Sequence, residues 1–189
     1  GRERSDASVL VPLVLRDHGL TLLLTQRTAH LRDHAGQISF PGGRSEPTDA
    51  DAVDTALREA EEEVGLARRH VEVIGSLPVY RTVTHYDVTP VVALIQPPFD
   101  LRIDTHEVAE AFEVPLSFLM SPANHRRHVF DWDGGRHQFH HRVVEHRRHD
   151  VGGRKLVGGD AGGDGVGGGQ LHVLGDGRGA GVERAPEDA

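Results

Sequence analysis

The stretch that decides the fold is GRSEPTDADAVDTALREAEEEVGL, residues 43–66. Its second half predicts an α-helix, because small and aliphatic residues recur at helical spacing at positions 53, 56, 57, 60 and 64. We expect Thr48 to cap this helix, with Asp51 three residues further on, and Gly65 to end it.

Three glutamates share one side of this helix. At about 100° per residue, Glu59, Glu62 and Glu63 occupy an arc of about 100° facing away from the apolar stripe. Glu59 and Glu63 are a like-charge i,i+4 pair, which destabilises an isolated helix by a few tenths of a kcal/mol, so a bound cation is expected to offset the repulsion. Carboxylates without His or Cys suit hard cations such as Mg²⁺ or Mn²⁺. A solvent-exposed acidic helix face would show the same pattern of glutamates, but the preceding Pro-Gly-Gly turn and Arg58 favour a metal site.

Residues 43–66 resemble the Nudix box, G-x5-E-x7-R-E-U-x-E-E-x-G-U, where U is a bulky aliphatic residue. The matching positions are Arg58, Glu59, Glu62, Glu63, Gly65 and Leu66. The first half departs from the pattern, because one extra residue separates Gly43 from Arg58 and Asp49 stands near the place of the first glutamate. That first acid is generally regarded as structural in the family.

A second motif precedes the first. Residues 23–43, LLTQRTAHLRDHAGQISFPGG, resemble the signature of the coenzyme A pyrophosphatase branch of Nudix hydrolases. The residues in register are Leu23, Leu24, Thr25, Arg27, Arg32, Gly36, Phe40, Pro41, Gly42 and Gly43, whereas Thr28 replaces the expected Ser or Ala. Residues 86–92 (YDVTPVV) and 107–115 (EVAEAFEVP) also look like that branch.

The resemblance implies an α/β/α sandwich around a mixed sheet, of class α/β or α+β. It implies Mg²⁺- or Mn²⁺-dependent hydrolysis of the diphosphate of coenzyme A or its thioesters, giving 4′-phosphopantetheine, or its acyl form, and 3′,5′-ADP. The implied metal ligands are Glu59, Glu63, Glu62 directly or through water, and the Gly43 carbonyl. Arg58 would hold the glutamates by charge-assisted pairing.

The same resemblance suggests residues that contact the substrate. Arg27 and Arg32 are candidates to bind the phosphates, the backbone at Gly42 and Gly43 could approach a phosphate closely, and His34 is a further loop candidate. Nudix enzymes often place an extra acid in the stretch that reads EVAEAFEVP here. We choose Glu110 for this catalytic role, with Glu107 and Glu113 as competitors.

The rest of the body alternates strand and helix signals. Residues 8–15, 20–25, 71–74 and 86–95 predict strands, and residues 129–132 and 137–144 predict a hairpin across Asp133-Gly134-Gly135. Residues 26–43 form a long loop, and residues 107–112 and 116–120 predict short helical turns. This mixture supports the α/β assignment.

The composition of the chain argues against several classes of protein. The chain has 189 residues, no cysteine and a formal net charge of −8, which argue against disulfides, thiolate chemistry and general nucleic-acid binding. No apolar run approaches a membrane span and no signal peptide is visible, so we expect a cytoplasmic protein that acts on a small molecule as a monomer or homodimer.

The last 39 residues differ from the rest, with 14 of the 23 glycines. Burial of their eight Val and Leu side chains would contribute roughly 12–24 kcal/mol, whereas ordering 39 backbones costs on the order of 40–80 kcal/mol. We therefore expect a Nudix domain at residues 1–150 and a mostly disordered tail at 151–189. Its composition is also what a frameshift in a GC-rich gene would yield, in which case a lost closing helix would leave apolar sheet surface exposed.

Three other readings stay open. The substrate could be another nucleoside diphosphate derivative, such as ADP-ribose or a dinucleotide. The chain could also be an inactive nucleotide-binding module. Seven histidines between His125 and His149 permit a metal-binding interpretation, although they do not repeat one face of a helix or strand. The run from His137 to His149 could belong to the same frameshift, so we assign that run no function.

Overall fold

The computed structural model describes residues 4–29, 36–82, 84–132 and 135–142, with side chains as far as His125. Ten strands, two α-helices and two short 3₁₀ turns make up this part of the chain. The strands are β1 Ser5–Arg16, β2 Gly19–Arg27, β3 Ile38–Ser39, β4 Gly42–Arg44, β5 Val71–Ser76, β6 Tyr80–Arg81, β7 Tyr86–Ile95, β8 Val108–Pro115, β9 His125–Trp132 and β10 Gly135–Arg142. The helices are α1 Ala52–Val64 and α2 Leu116–Met120, and the 3₁₀ turns are Arg68–His70 and Pro122–Asn124.

Eight strands form one mixed sheet, which confirms the predicted fold class. Its central order is β3-β2-β1-β7-β5, and β1 pairs with β7 in parallel while the other pairs are antiparallel. β4 pairs with the first half of β1, β6 with β7, and β8 with β2. β9 and β10 form the predicted hairpin separately.

Apolar side chains cover both faces of this sheet, because side chains alternate along a strand. Leu10, Val14 and Leu23 pack with Ala56, Ala60 and Val64 of α1 on one face. On the other face, Leu22, Leu24 and Val114 pack with Leu119 of α2. The helices therefore lie on opposite sides of the sheet, as the sandwich architecture requires.

The caps of α1 differ from the sequence prediction at one end. Asp51, not Thr48, is the N-cap, and its carboxylate accepts a hydrogen bond from the Asp54 N–H at 2.8 Å. The prediction of Thr48 was wrong because the neighbouring Asp49 is held by Thr55 and Arg58 of the helix, as described below. Gly65 ends the helix as predicted, with φ of +67°, and an added Cβ there would lie 2.8 Å from the Arg102 backbone nitrogen.

The predicted helical turn at residues 107–112 was also wrong, because residues 108–112 belong to β8. Glutamate and alanine favour helices, but pairing with β2 along Val108–Pro115 overrides that local preference. The strands predicted at 8–15, 20–25, 71–74 and 86–95 are confirmed, as is the helix at 116–120. The long loop at 26–43 contains β3 and the start of β4.

Candidate active site

Arg58 organises one side of the site. Its guanidinium makes a two-point ion pair with Asp49, with Nε–Oδ1 at 2.8 Å and Nη2–Oδ2 at 3.0 Å. The same group donates to Glu59 Oε1 at 3.1 Å, to Glu62 Oε2 at 3.0 Å and to the Arg44 carbonyl at 3.0 Å. The hydrogen bonds from Arg58 hold the pKa of Asp49 well below its usual range. The Arg58 guanidinium thus connects the loop before α1 to the carboxylates of Glu59 and Glu62.

The Gly42-Gly43 backbone lies directly against the carboxylates of Glu59 and Glu63. A Cβ on Gly43 would come within 2.6 Å of the Glu59 carboxylate, and a Cβ on Gly42 within 2.4 Å of the Ser8 carbonyl oxygen. The Gly42 N–H donates to Glu63 Oε2 at 3.2 Å. Only glycine fits at position 42, whereas a side chain at position 43 would displace the Glu59 carboxylate, so bare backbone borders both glutamates.

Glu63 is buried, with 6% of its surface exposed, although the helical wheel predicts that it faces away from the core. It does leave the apolar stripe, but neighbouring segments cover the polar side of the helix as well. Burial raises the pKa of Glu63 to about 8, with further raising by the charges of Glu59 and Glu107, against the Gly42 N–H and Arg27, which lower it. Burial also raises the pKa of Glu59. Negative charge at this pair is therefore poorly compensated.

The segment before β8 brings Glu107 to this pair. The N–H groups of Arg102 and Asp104 each donate at 2.8 Å to carbonyls at the end of α1, those of Val64 and Glu63. The Thr28 N–H donates to the Glu107 carbonyl at 2.9 Å. The Glu107 carboxylate is then close enough to raise the pKa of both Glu59 and Glu63.

The other two candidate acids of this segment lie elsewhere. Glu113 accepts hydrogen bonds from Arg16 and from Thr21, and these hydrogen bonds lower its pKa although burial raises it. Glu110 lies opposite Gln26 in the β2–β8 ladder. It shares its face of β8 with Phe112, which packs on the α2 side.

Arg27 is the substrate candidate that the structure places at the carboxylates, with its Nη1 at 3.8 Å from Glu63 Oε1. Arg32 and His34 lie outside the described residues. So does the tail at 151–189. Of the seven clustered histidines, two lie on β9 and three on β10, whereas His146 and His149 lie outside the described residues. His125 Nε2 lies 2.7 Å from the Leu119 carbonyl oxygen.

This arrangement fits a hard divalent cation. Glu59 and Glu63 are carboxylates whose pKa is raised by burial, and both adjoin the glycine backbone of β4. The Glu59 carboxylate lies within 2.6 Å of the place that a Gly43 Cβ would take, and Glu63 accepts from the Gly42 N–H. Glu62 has an exposed side chain and is bonded to Arg58, so it fits a ligand that acts through water better than a direct one. Within the described part of the chain, no three His, Asp or Glu side chains already converge as a metal cluster.

Two features of the site were not found from the sequence. The Thr55 hydroxyl donates to Asp49 Oδ2 at 2.9 Å and so fixes the carboxylate that holds Arg58. Neither of the two sequence motifs predicts this contact. The choice of Glu107 over its neighbours depends on where β8 begins. That boundary is invisible in a stretch with helical composition.

Comparisons with known proteins agree with the fold and the motif. The chain is 54% identical over 111 residues to the protein named uncharacterized Nudix hydrolase NudL of Escherichia coli K12, a match that covers 59% of this chain and 57% of that relative. The chain thus spans less than two thirds of the length of the curated relatives that it matches.

Solved structures show the same fold. The Nudix hydrolase RenU of M. smegmatis superimposes with a TM-score of 0.54 at 20% identity, covering 63% of this chain and 75% of that one. An Ap4A hydrolase of C. elegans gives a TM-score of 0.51 at 21% identity, covering 59% and 80%.

None of the described helices has the length and apolar character needed to cross a bilayer. The family model described as "NUDIX domain" matches residues 4–133, well over half of the 189 residues. This range contains α1 and every site residue described above. The chain therefore belongs to the NUDIX domain family.

Proposed function

We propose that this chain hydrolyses the diphosphate of a nucleoside diphosphate derivative, and that coenzyme A or its thioesters are the substrate. The products would be 4′-phosphopantetheine, or its acyl form, and 3′,5′-ADP. The observation that carries the proposal is the pair of desolvated carboxylates, Glu59 and Glu63, against the bare backbone of Gly42 and Gly43. The names of the relatives as Nudix hydrolases support the reaction type.

Glu59, Glu63 and the Gly43 carbonyl would hold Mg²⁺ or Mn²⁺, with Glu62 contributing through water. When bound, such an ion neutralises diphosphate charge and lowers the pKa of a water molecule. Arg58 keeps Glu59 and Glu62 oriented through the hydrogen bonds it donates to both. The Gly42 N–H keeps Glu63 turned toward the loop, so the helix and loop act as one rigid unit.

Glu107 is our revised choice for the additional acid, in place of Glu110. Its carboxylate acts electrostatically on both Glu59 and Glu63, whereas Glu110 shares a sheet face with residues packed under α2. Glu113 is already bonded to Arg16 and Thr21. We propose that Glu107 holds the attacking water or accepts its proton.

The choice of coenzyme A rests on the upstream motif at residues 23–43. Arg27 of that motif lies at the carboxylates and would contact the diphosphate, and we retain Arg32 as a second phosphate ligand. The backbone at Gly42 and Gly43 would approach a phosphate oxygen. A cytoplasmic location and a monomeric or homodimeric state remain predictions.

Product analysis tests this function. The full chain is incubated with coenzyme A and Mg²⁺ or Mn²⁺, and in parallel with ADP-ribose and with a dinucleotide. We expect 3′,5′-ADP and 4′-phosphopantetheine from the first reaction. Hydrolysis of ADP-ribose or the dinucleotide alone would retain the chemistry and reject the substrate, and a folded protein without turnover in any reaction would indicate a binding module.

A further inference from the structure

Arg27 has hydrogen-bonding capacity that the described residues do not use. Its Nη1 faces Glu63 Oε1 at 3.8 Å, which is an ion pair too long for a good hydrogen bond. Its Nε is buried and has no hydrogen-bond partner within the described part of the chain. A buried N–H group without an acceptor is costly, so this orientation of the guanidinium leaves one donor for a further acceptor, such as an oxygen of a diphosphate.

The backbone fixes where this side chain begins. The Arg27 N–H donates to the Gln37 carbonyl at 2.9 Å, and its carbonyl accepts from the Gly36 N–H at 3.2 Å. The β2–β8 ladder shifts register between Gln26 and Arg27. Next along the chain, the Thr28 N–H holds Glu107. The backbone of Arg27 is therefore fixed, and its side chain extends from there to Glu63.

We infer that Arg27 couples binding of the cation to binding of the diphosphate. Without a cation, its guanidinium lies 3.8 Å from the Glu63 carboxyl and favours the ionised form of that group. A divalent cation held by Glu63 would replace the proton of that carboxyl and repel the guanidinium, while a diphosphate offers oxygens to both positive groups. Arg27 alone therefore weakens cation binding and, once the cation is present, strengthens diphosphate binding.

This inference rests on the proposed function only in taking a diphosphate as the ligand. Its signature is two effects of opposite sign from one substitution. Loss of a purely structural residue would weaken both kinds of binding together. Charges at this separation in a partly buried site change affinity by roughly tenfold or more.

The experiment measures binding by the full chain rather than turnover. Mn²⁺ alone is titrated calorimetrically, and methylene-bridged ADP, which has no cleavable diphosphate bond, is then titrated at saturating Mn²⁺. The variants are Arg27→Gln, which removes the charge, and Arg27→Lys, which keeps the charge and loses the planar group. Arg68→Ala is the matched control, because it removes one positive charge from an exposed site paired with Asp54.

We expect Arg27→Gln to bind Mn²⁺ about tenfold more tightly and methylene-bridged ADP about tenfold more weakly than the parent. Arg27→Lys should bind Mn²⁺ as the parent does and the nucleotide more weakly, and Arg68→Ala should leave both affinities unchanged. Thermal melts establish that each variant is folded.

Changes of the same sign for both ligands in folded Arg27→Gln, or no change beyond the control, would overturn the coupling. The opposite-sign result without coenzyme A hydrolysis by the parent would reject the proposed substrate and leave the coupling intact. Hydrolysis of coenzyme A by the parent, with unaltered affinities in Arg27→Gln, would support the proposed substrate and reject the coupling.

Discussion

The Glu63 side chain makes the stability of the metal-free protein depend on pH. Its pKa is about 8 in the folded chain against an ordinary value of 4.5, so between these values the folded state retains a proton that the unfolded chain releases. The stabilisation is therefore complete below about pH 4.5 and is lost as the pH rises through about 8.

We therefore expect the thermal midpoint measured in a metal chelator to fall from pH 5 to pH 8.5. Glu63→Gln should flatten this fall, because glutamine does not titrate. Melting curves of the two proteins over that range provide the test. Identical pH profiles would contradict the burial of an ionisable carboxyl at this position.

Glu63→Gln should also reduce turnover by at least about a hundredfold, since it removes one unit of charge from the proposed cation site. The matched control is Glu61→Gln, on the same helix, because Glu61 is exposed and pairs only at 3.9 Å with Arg68. Steady-state rates with Mn²⁺ compare them. Near-normal hydrolysis by a folded Glu63→Gln protein would show that the proposed ligand set is wrong.

At the scale of the element, α1 depends on Asp51 for its first turn. Asp51→Ala should lower the free energy of unfolding by about 1 kcal/mol, the usual cost of losing an N-cap side chain. Thr48→Ala should change it by less than about 0.5 kcal/mol. Urea denaturation of both variants measures the difference. Equal effects would return the N-cap to the position that the sequence pattern predicts.

The same helix shows how far sequence reasoning reaches. Its apolar period and Gly65 depend on nearest neighbours along the chain, so α1 and its end could be predicted. The N-cap could not, because Thr48 and Asp51 have similar local chemistry and the choice depends on Asp49 being held by Arg58 and Thr55. The start of β8 was missed for a similar reason, because its pairing partner lies about 80 residues earlier in the chain.

The candidate site, too, could be predicted from the sequence only in part. The motifs predict which residues act, among them Arg58, Glu59, Glu63 and Arg27. They do not indicate that Glu63 is buried or that Arg27 faces it, because both depend on the packing of β4 and the segment before β8 around the helix.

At the scale of the whole molecule, the edge strand β5 exposes aliphatic side chains. Ile74 is 58% exposed, and Leu77 and Val79 just beyond the strand are 52% and 55% exposed. β5 ends the described strand order, so its outer edge pairs with no strand in the described part of the chain. An apolar edge of this kind favours association between copies.

Ile74→Lys should therefore reduce concentration-dependent association while leaving the melting temperature nearly unchanged, because the side chain is already exposed. Glu72→Lys on the same strand is the control, since it alters charge without removing apolar surface. Sedimentation velocity at several concentrations provides the readout. Unaltered association in Ile74→Lys would show that copies meet elsewhere or remain monomeric.

The crowding at Gly42 and Gly43 also has a genetic consequence. Every single-base change in a glycine codon that alters the amino acid adds a side chain. At these two positions the first Cβ already meets the Ser8 backbone or the Glu59 carboxylate. At Gly75, where an added Cβ meets nothing within 4 Å, the same changes should be tolerated. In a random mutant library selected for activity, codons 42 and 43 should thus remain invariant while codon 75 drifts.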